Sequence, residues 1–112
     1  MPTPRDDIDE VLHALADPTR RQVVERLVSG PATTTELAQP FAMSLPSFLQ
    51  HLRVLEAAEL VTSAKQGRVR TYHLAPAGLE RLDGWLADQR RLWERRLDQF
   101  DTFVLDLEER HP

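Results

Sequence analysis

Short polar side chains at the start of one predicted helix have the chemistry to bind the edges of base pairs. Ser44, Ser47 and Gln50 recur at helical spacing, and the amide of Gln50 can pair bidentately with adenine. Ser47 can bond either a base or a phosphate, and His51 can donate to a phosphate. The alternative is that these polar groups form an ordinary solvated helix face.

The apolar residues of the same helix determine which side chains face outward. Phe48, Leu52 and Leu55 are spaced by four and three residues, so they form one buried stripe. Leu49 cannot hydrogen-bond a base but can touch a thymine methyl group, and Arg53 is expected to contact the DNA backbone or an internal acid. A recognition helix contacts bases from its N-terminal end, and the predicted DNA-binding set on this helix is Ser44, Leu45, Ser47, Leu49, Gln50, His51 and Arg53.

Further basic residues crowd a predicted hairpin tip. Lys65, Arg68 and Arg70 lie around one glycine, and a basic tip can enter the minor groove or lie on phosphate. The alternative is that these charges protect an edge strand from pairing with another chain. Arg20 and Arg21 open an earlier helix, where we expect one to face the core or a salt bridge and the other to contact phosphate.

The charge distribution fits a protein that contacts an anion with its central part only. The 112 residues carry a net charge of −4. Residues 18–75 contain seven bases and four acids, whereas residues 1–17 contain one base and five acids and residues 76–112 contain six bases and nine acids. A basic centre between two acidic ends suits contact with phosphate, although chance scatter of charge gives the same pattern.

Helix-start signals and hydrophobic periods place the elements that hold these residues. Asp17 before a proline, Thr33 with Glu36 as a capping box, and Ser44 each mark a helix N-terminus. After Leu60 the period changes to two, which indicates short strands joined by a tight turn. The predicted helices are about 6–16, 18–29, a short one that ends before residue 40, 44–58 and 77–108, and the predicted strands are 61–64 and 69–74.

These elements predict a winged helix-turn-helix. A very short helix joined by a brief turn to a longer one is a helix-turn-helix, and the hairpin that follows is a wing. The predicted fold is mainly α with a small β-hairpin, in the order α-α-α-α-β-β-α. We expect a single domain over residues 1–112, with a DNA-binding core at about 18–75 and dimerisation helices at about 6–16 and 77–108.

A long apolar stripe on the final helix predicts a second copy of the chain. A helix over residues 77–108 would be about 45 Å long, and a domain of this size cannot cover such a stripe by itself. The alternatives are that the stripe is intramolecular core, or that a small apolar effector lodges between Trp85, Trp93 and the first helix. The residues expected in the homodimer interface are Ile8, Leu12, Leu86, Trp93, Leu97, Phe100 and Val104.

Composition argues against several other classes of protein. Cysteine is absent, which removes disulfides, thiolate metal sites and thiol redox sensing. His13, His51 and His73 lie in different elements without ligand spacing, so no metal or other cofactor is expected. No segment approaches the roughly 20 apolar residues of a membrane span. Residues 1–9 contain no apolar run, so we expect no signal peptide and a cytoplasmic location.

No enzyme chemistry is predicted. The sequence contains no phosphate-binding loop, nucleophile elbow or metal cluster. Ser44, Ser47, His51 and His73 could be combined into a hydrolytic set. Helix capping and groove contact, however, explain both serines without catalysis.

Three stretches occur in a characteristic order and spacing: residues 15–21 (LADPTRR), 43–56 (MSLPSFLQHLRVLE) and 67–74 (GRVRTYHL). Together they resemble the ArsR/SmtB family of bacterial winged-helix repressors. The absence of cysteine and the tail around Trp85 and Trp93 are similar to the metal-independent branch of that family. The resemblance implies that residues 44–58 are the recognition helix. Leu49 departs from the family pattern, since many members have a small polar residue there.

These observations predict a sequence-specific DNA-binding transcriptional regulator. We expect a homodimeric repressor that binds an inverted repeat in double-stranded DNA, because a two-fold dimer places two recognition helices about one DNA turn apart. Repression itself is implied by the resemblance. The alternative is a dimeric protein-interaction adaptor with the same fold that no longer binds DNA, which Leu49 and the acidic net charge favour.

Overall fold

A computed structural model describes residues 4–110, with side chains from residue 8 onward, and its architecture is a winged helix-turn-helix. Residues 1–3, part of the N-terminal segment that lacks an apolar run, lie outside the described residues. The predicted fold class is confirmed, and the predicted ends of the long elements agree to within two residues. The elements are α1 (Pro4–Ala16), α2 (Pro18–Val28), β1 (Ala32–Thr33), α3 (Thr34–Ala38), α4 (Leu45–Ala57), β2 (Val61–Gln66), β3 (Val69–Leu74) and α5 (Pro76–Glu109).

Contacts within the chain define two compact units. The first unit ends at Leu82 and the second begins at Asp83. The division between the two units falls inside α5, and the second unit contains the turns of this helix that follow Leu82. Within residues 4–110, no helix combines the length and the apolar character needed to cross a membrane.

Polar caps fix where three of the helices begin. The Asp17 carboxylate accepts a backbone N–H at 3.0 Å, and Ser44 Oγ accepts a backbone N–H at 3.3 Å. Thr33 and Glu36 form a reciprocal capping box at the start of α3. Each cap satisfies an N–H that has no partner inside its helix and contributes about 1 kcal/mol. The three predicted N-termini are therefore confirmed.

The core of the first unit fixes the orientation of α4. Phe48, Leu52 and Leu55 are fully buried, which confirms the predicted stripe. They cluster with Val11 of α1 and Val23 of α2. Burial of each such side chain contributes on the order of 1.5–3 kcal/mol, so the opposite side of α4 is held outward.

The wing consists of β2 and β3, which pair antiparallel along their full length. Because Gln66 and Val69 are partners, Gly67 and Arg68 form a two-residue turn. Gly67 has a φ of +64°, the left-handed conformation that such turns require. The wing is therefore a tight hairpin, and β2 extends two residues beyond its predicted end.

The sheet also contains a third strand that the sequence did not reveal. β1 lies on the other side of β3, in the strand order β1-β3-β2, and Ala32 is opposite Tyr72. With only two residues, β1 has no alternation of apolar and polar positions from which to predict it.

A close backbone contact joins the end of α4 to the start of α5. The Gly78 N–H donates to the Glu59 carbonyl oxygen at 2.9 Å, and Arg81 Nη2 donates to the Ala58 carbonyl oxygen at 3.0 Å. A Cβ on Gly78 would lie 2.6 Å from Ala58 O and 2.8 Å from Glu59 O. Glycine is therefore the residue that this contact accommodates.

Candidate nucleic-acid interface

The first turns of α4 present polar side chains to solvent. The Ser44 hydroxyl donates to the Ser47 hydroxyl at 3.0 Å. Arg53 Nη1 donates to Gln50 Oε1 at 2.9 Å. In the free protein the partner of Arg53 is therefore an amide and not the internal acid that the sequence suggested as an alternative to DNA. We refer to the exposed residues as the α4 face, which consists of Ser44, Leu45, Ser47, Gln50 and Arg53.

Leu49 lies apart from the α4 face. Its side chain is half-buried and packs against the core cluster. It also lines a cavity between α4 and the wing. The prediction that Leu49 faces outward is therefore corrected, because apolar packing turns this side chain toward the protein.

His51 is held by a buried arginine. His51 Nδ1 lies 3.0 Å from Arg20 Nη1 and 3.8 Å from Asp17 Oδ2. Arg20 also donates from Nε to Ala14 O at 2.7 Å and from Nη2 to His13 O at 3.1 Å. Because Arg20 occupies Nδ1 and 22% of the side chain is exposed, Nε2 is the ring nitrogen left to donate, and the phosphate contact of His51 stays a prediction.

Arg20 and Arg21 both donate hydrogen bonds to carbonyl groups at the C-terminus of α1. Arg21 Nη1 donates to Leu15 O at 2.8 Å and to Ala16 O at 3.1 Å. The last carbonyl groups of a helix have no partner inside it, and the two guanidinium groups supply those partners. Arg20 is the arginine that faces the core, whereas Arg21 is exposed with only Nη1 bonded, so its contact with phosphate stays a prediction.

Asp17 balances the buried charge of Arg20. Partial burial disfavours the charged form of Asp17. The backbone N–H of Arg20 and the attraction of His51 and Arg20 outweigh that effect, so the pKa of the carboxyl lies below its ordinary value. Asp17 therefore remains ionised at neutral pH, where it also caps α2.

The wing places three basic side chains on an exposed hairpin. Lys65, Arg68 and Arg70 are all exposed. Lys65 lies directly opposite Arg70 in the strand register. Like charges in that position destabilise a sheet, and a bound anion would relieve the repulsion. The wing is therefore suited to a polyanionic partner.

A chain of hydrogen bonds ties the wing to α4. The Ser63 hydroxyl donates to Glu56 Oε1 at 2.6 Å, and Arg70 Nη1 donates to Ser63 Oγ at 2.8 Å. These bonds orient Arg70 relative to the α4 face. No local pattern in the sequence indicates that Ser63 and Glu56 are partners, because only the packing of β2 against α4 brings them together.

A cavity of about 460 Å³ lies between α4 and the wing, and we refer to it as the basic cavity. Burial and the nearby Glu56 carboxylate raise the pKa of Tyr72, so its hydroxyl stays neutral. Four cationic side chains surround one carboxylate here, which gives a field that attracts anions. The lining residues are Thr34, Leu49, Arg53, Glu56, Lys65, Arg68, Arg70 and Tyr72.

The second unit exposes a broad apolar face. Trp93 is 69% exposed and Phe100 is 61% exposed. Leu86 and Leu97 are also exposed, and Val104 is half-buried. Large contiguous apolar surfaces of this kind mark interaction sites. A groove of about 490 Å³ on this helix is lined by Trp85, Leu86, Gln89, Arg90 and Trp93.

The two α1 residues predicted for the dimer interface differ in burial. Leu12 is 41% exposed, whereas Ile8 is 6% exposed and belongs to the core cluster. The prediction for Ile8 is corrected, because its side chain is already covered by its own protomer. Helical periodicity identifies the apolar positions of α1 without showing which of them meet the core.

The suggested hydrolytic set is not assembled. Ser44 and Ser47 bond to each other, and His51 faces Arg20. Among the side chains from residue 8 to residue 110, no group of three or more His, Asp or Glu residues could hold a metal ion.

Similar sequences are regulators of transcription. Residues 15–64 match a protein family described as a helix-turn-helix domain. The chain is 45% identical over 96 residues to the HTH-type transcriptional regulator Rv2034 of Mycobacterium tuberculosis, with 86% of this chain and 87% of the relative covered. It is 32% identical over 79 residues to the transcriptional repressor SdpR of Bacillus subtilis, with 70% and 88% covered.

Similar solved structures have the same architecture. The crystal structure of an ArsR family transcriptional regulator, RHA00566, matches with a TM-score of 0.79 and 46% identity, over 84% of this chain and 97% of that chain. A homodimeric winged helix-turn-helix DNA-binding domain from Mycobacterium bovis matches with a TM-score of 0.61 and 24% identity, over 84% of each chain.

Proposed function

The chain belongs to the ArsR family of winged helix-turn-helix transcriptional regulators, and on that premise we propose that it is a homodimeric repressor of an inverted-repeat operator. It is a DNA-binding regulator and not an enzyme, as its relatives are regulators. Repression is proposed because SdpR, at 32% identity, is a transcriptional repressor.

The observation that carries the proposal is that the α4 face and the wing cations are both exposed, with Arg53 and the wing cations lining the basic cavity. In the proposed complex α4 lies in the major groove, where Ser47 and Gln50 meet base edges. Lys65, Arg68 and Arg70 then lie on flanking phosphates or in the minor groove. The core supports this geometry by burying the opposite side of α4.

The proposed second copy covers the apolar face of α5. Burial of each exposed aromatic or leucine side chain there would contribute on the order of 1.5–3 kcal/mol before the cost of association. A two-fold axis presents α4 twice, and recognition helices in such dimers lie about 34 Å apart along the duplex. We therefore expect this protein to bind an operator whose two inverted half-sites lie one helical turn apart. A protein of this fold from Mycobacterium bovis is homodimeric, so the fold is compatible with pairing.

Titration of labelled duplexes from the intergenic DNA upstream of its own gene tests the proposal. Gln50→Ala is expected to weaken binding by about 1–3 kcal/mol, the scale of a lost base contact, and Arg68→Ala is expected to weaken it through the loss of a phosphate or minor-groove contact, both without unfolding the protein. Arg26→Ala is the matched control, since Arg26 lies at the end of α2 and donates to Gly30 O. Unchanged affinity in both interface variants would remove the assignment.

Retention on nonspecific DNA at low salt separates the proposal from the adaptor alternative. Contacts to phosphate make a DNA-binding protein bind at low salt and elute as salt rises. An adaptor that has lost DNA binding would pass through the column at every salt concentration.

A further inference from the structure

We propose that Arg53 sets the base preference of α4 by placing its guanidinium beside the Gln50 amide oxygen, so that the pair selects guanine. This inference rests on the proposed function, in which the α4 face contacts base edges. It replaces the initial expectation that Gln50 pairs with adenine.

The orientation of the Gln50 amide follows from the chemistry of its partner. Gln50 and Arg53 are three residues apart, so they lie on the same face of the helix. Arg53 Nη1 lies 2.9 Å from Gln50 Oε1. A guanidinium group has only donors, so it can bond the amide oxygen and not the amide nitrogen. The Nε2 amino group of Gln50 therefore remains on the far side of the amide as a donor.

This orientation changes which base edge complements Gln50. A bidentate bond to adenine needs the amide oxygen to accept from N6 while the amide nitrogen donates to N7. In this protein one lone pair of that oxygen already accepts a charge-assisted bond from Arg53, and the positive guanidinium beside it opposes the approach of a further donor such as adenine N6. Gln50 and Arg53 together therefore present mainly N–H groups beside a positive charge, an arrangement that favours a base edge rich in acceptors.

Guanine is the base that best accepts these donors. Its major-groove edge presents two acceptors, N7 and O6, whereas adenine presents an acceptor and a donor and cytosine presents a donor. Thymine offers one acceptor, O4. Arg53 keeps further N–H groups after bonding Gln50, so it can add a donor to the same guanine. Gln50 and Arg53 thus form one recognition unit.

The experiment is selection of bound sequences from a randomised duplex library by the full chain and its variants. Gln50→Ala identifies the base pair that position 50 contacts, as the one whose preference disappears. At that base pair the unaltered protein should prefer guanine. Arg53→Met should shift the preference toward adenine by about tenfold in relative affinity, because the guanidinium that opposes a donor beside the amide oxygen is removed. Arg26→Met, which removes a distant arginine, should leave the selected sequence unchanged.

A second variant tests the same unit without removing Arg53. In Gln50→Glu, one carboxylate oxygen can still accept from Arg53 while the other accepts a bond from a base. The preference at that base pair should therefore move from guanine to cytosine, whose N4 amino group is a donor.

The outcomes separate this inference from the proposed function. Selection of adenine by the unaltered protein would overturn the inference, as would uniform weakening by Arg53→Met with no change in base preference. In either case the protein still binds DNA and the proposed function stands. If no sequence is enriched by the unaltered protein, the proposed function itself fails.

Discussion

Gly78→Ala should destabilise the protein, although alanine is ordinarily the better helix residue. The added Cβ would lie 2.6 Å from Ala58 O, 2.8 Å from Glu59 O and 2.9 Å from Leu60 Cδ2. Two of these neighbours are backbone oxygens, which cannot move aside as a flexible side chain would. Overpacking of this kind costs about 1–3 kcal/mol, and the helix propensity of alanine recovers at most about 1 kcal/mol. The expected net loss in unfolding free energy is therefore about 1–2 kcal/mol.

The matched control for this prediction is Gly84→Ala in the same helix. A Cβ on Gly84 has nothing within 4 Å, so this variant should gain up to about 1 kcal/mol from propensity alone. Urea unfolding followed by circular dichroism, at equal protein concentration, measures both. The Gly78→Ala midpoint should fall by about 1 M for a protein of this size. A Gly78→Ala variant as stable as the unaltered protein would refute the packing argument.

Three further predictions concern the apolar face, the Asp17 charge and the wing. Phe100→Glu should shift the sedimenting species from dimer to monomer, whereas Leu105→Glu, about 140° away around the helix, should not; loss of the dimer in both would count against a defined interface. The folded-state pKa of Asp17 is lowered, so its charge stabilises the fold above the unfolded-state pKa of about 3.9, and this contribution is lost as pH falls through the folded value. Asp17→Asn should thus lower the melting temperature at pH 7 but not near pH 2, and an equal deficit at both pH values would contradict this. Arg70→Ala should reduce the slope of log affinity against log salt by about 0.9 for one lost phosphate contact, whereas Ser63→Ala should lower affinity at unchanged slope; a smaller slope in both would show that Ser63 does more than orient Arg70.

Local signals predicted most of the elements. Ser44, Thr33 and Asp17 mark helix starts because each cap needs only a polar side chain and the N–H groups of the next turn. The stripe of Phe48, Leu52 and Leu55 likewise lies within one helix, so its spacing alone indicates the buried side. The exposed positions of α4 followed from that stripe.

Contacts between distant residues could not be predicted in this way. His51 lies 31 residues from Arg20 in the chain, and nothing near His51 indicates that its ring faces a buried guanidinium. The link from Glu56 through Ser63 to Arg70 depends on β2 packing beside α4. Ile8 and Leu12 lie four residues apart on α1, yet only Ile8 is covered by the core. Each of these cases required the tertiary fold.

The hydrogen bond between Arg53 and Gln50 is local in sequence, but its functional consequence depends on atomic detail. A spacing of three residues on a helix permits the contact, so the pair could have been suspected from sequence. Its consequence for base preference depends on which atom of the amide accepts, and the 2.9 Å distance to Oε1 supplies that detail.

Comparison of a full operator with a single half-site tests the central claim most directly. Binding of the full chain should be titrated against both duplexes over a range of salt concentrations. If two copies joined through α5 each place α4 on one half-site, the full operator should bind far more tightly and show about twice the salt slope of the half-site. Equal affinity and equal slope on the two duplexes would contradict the account.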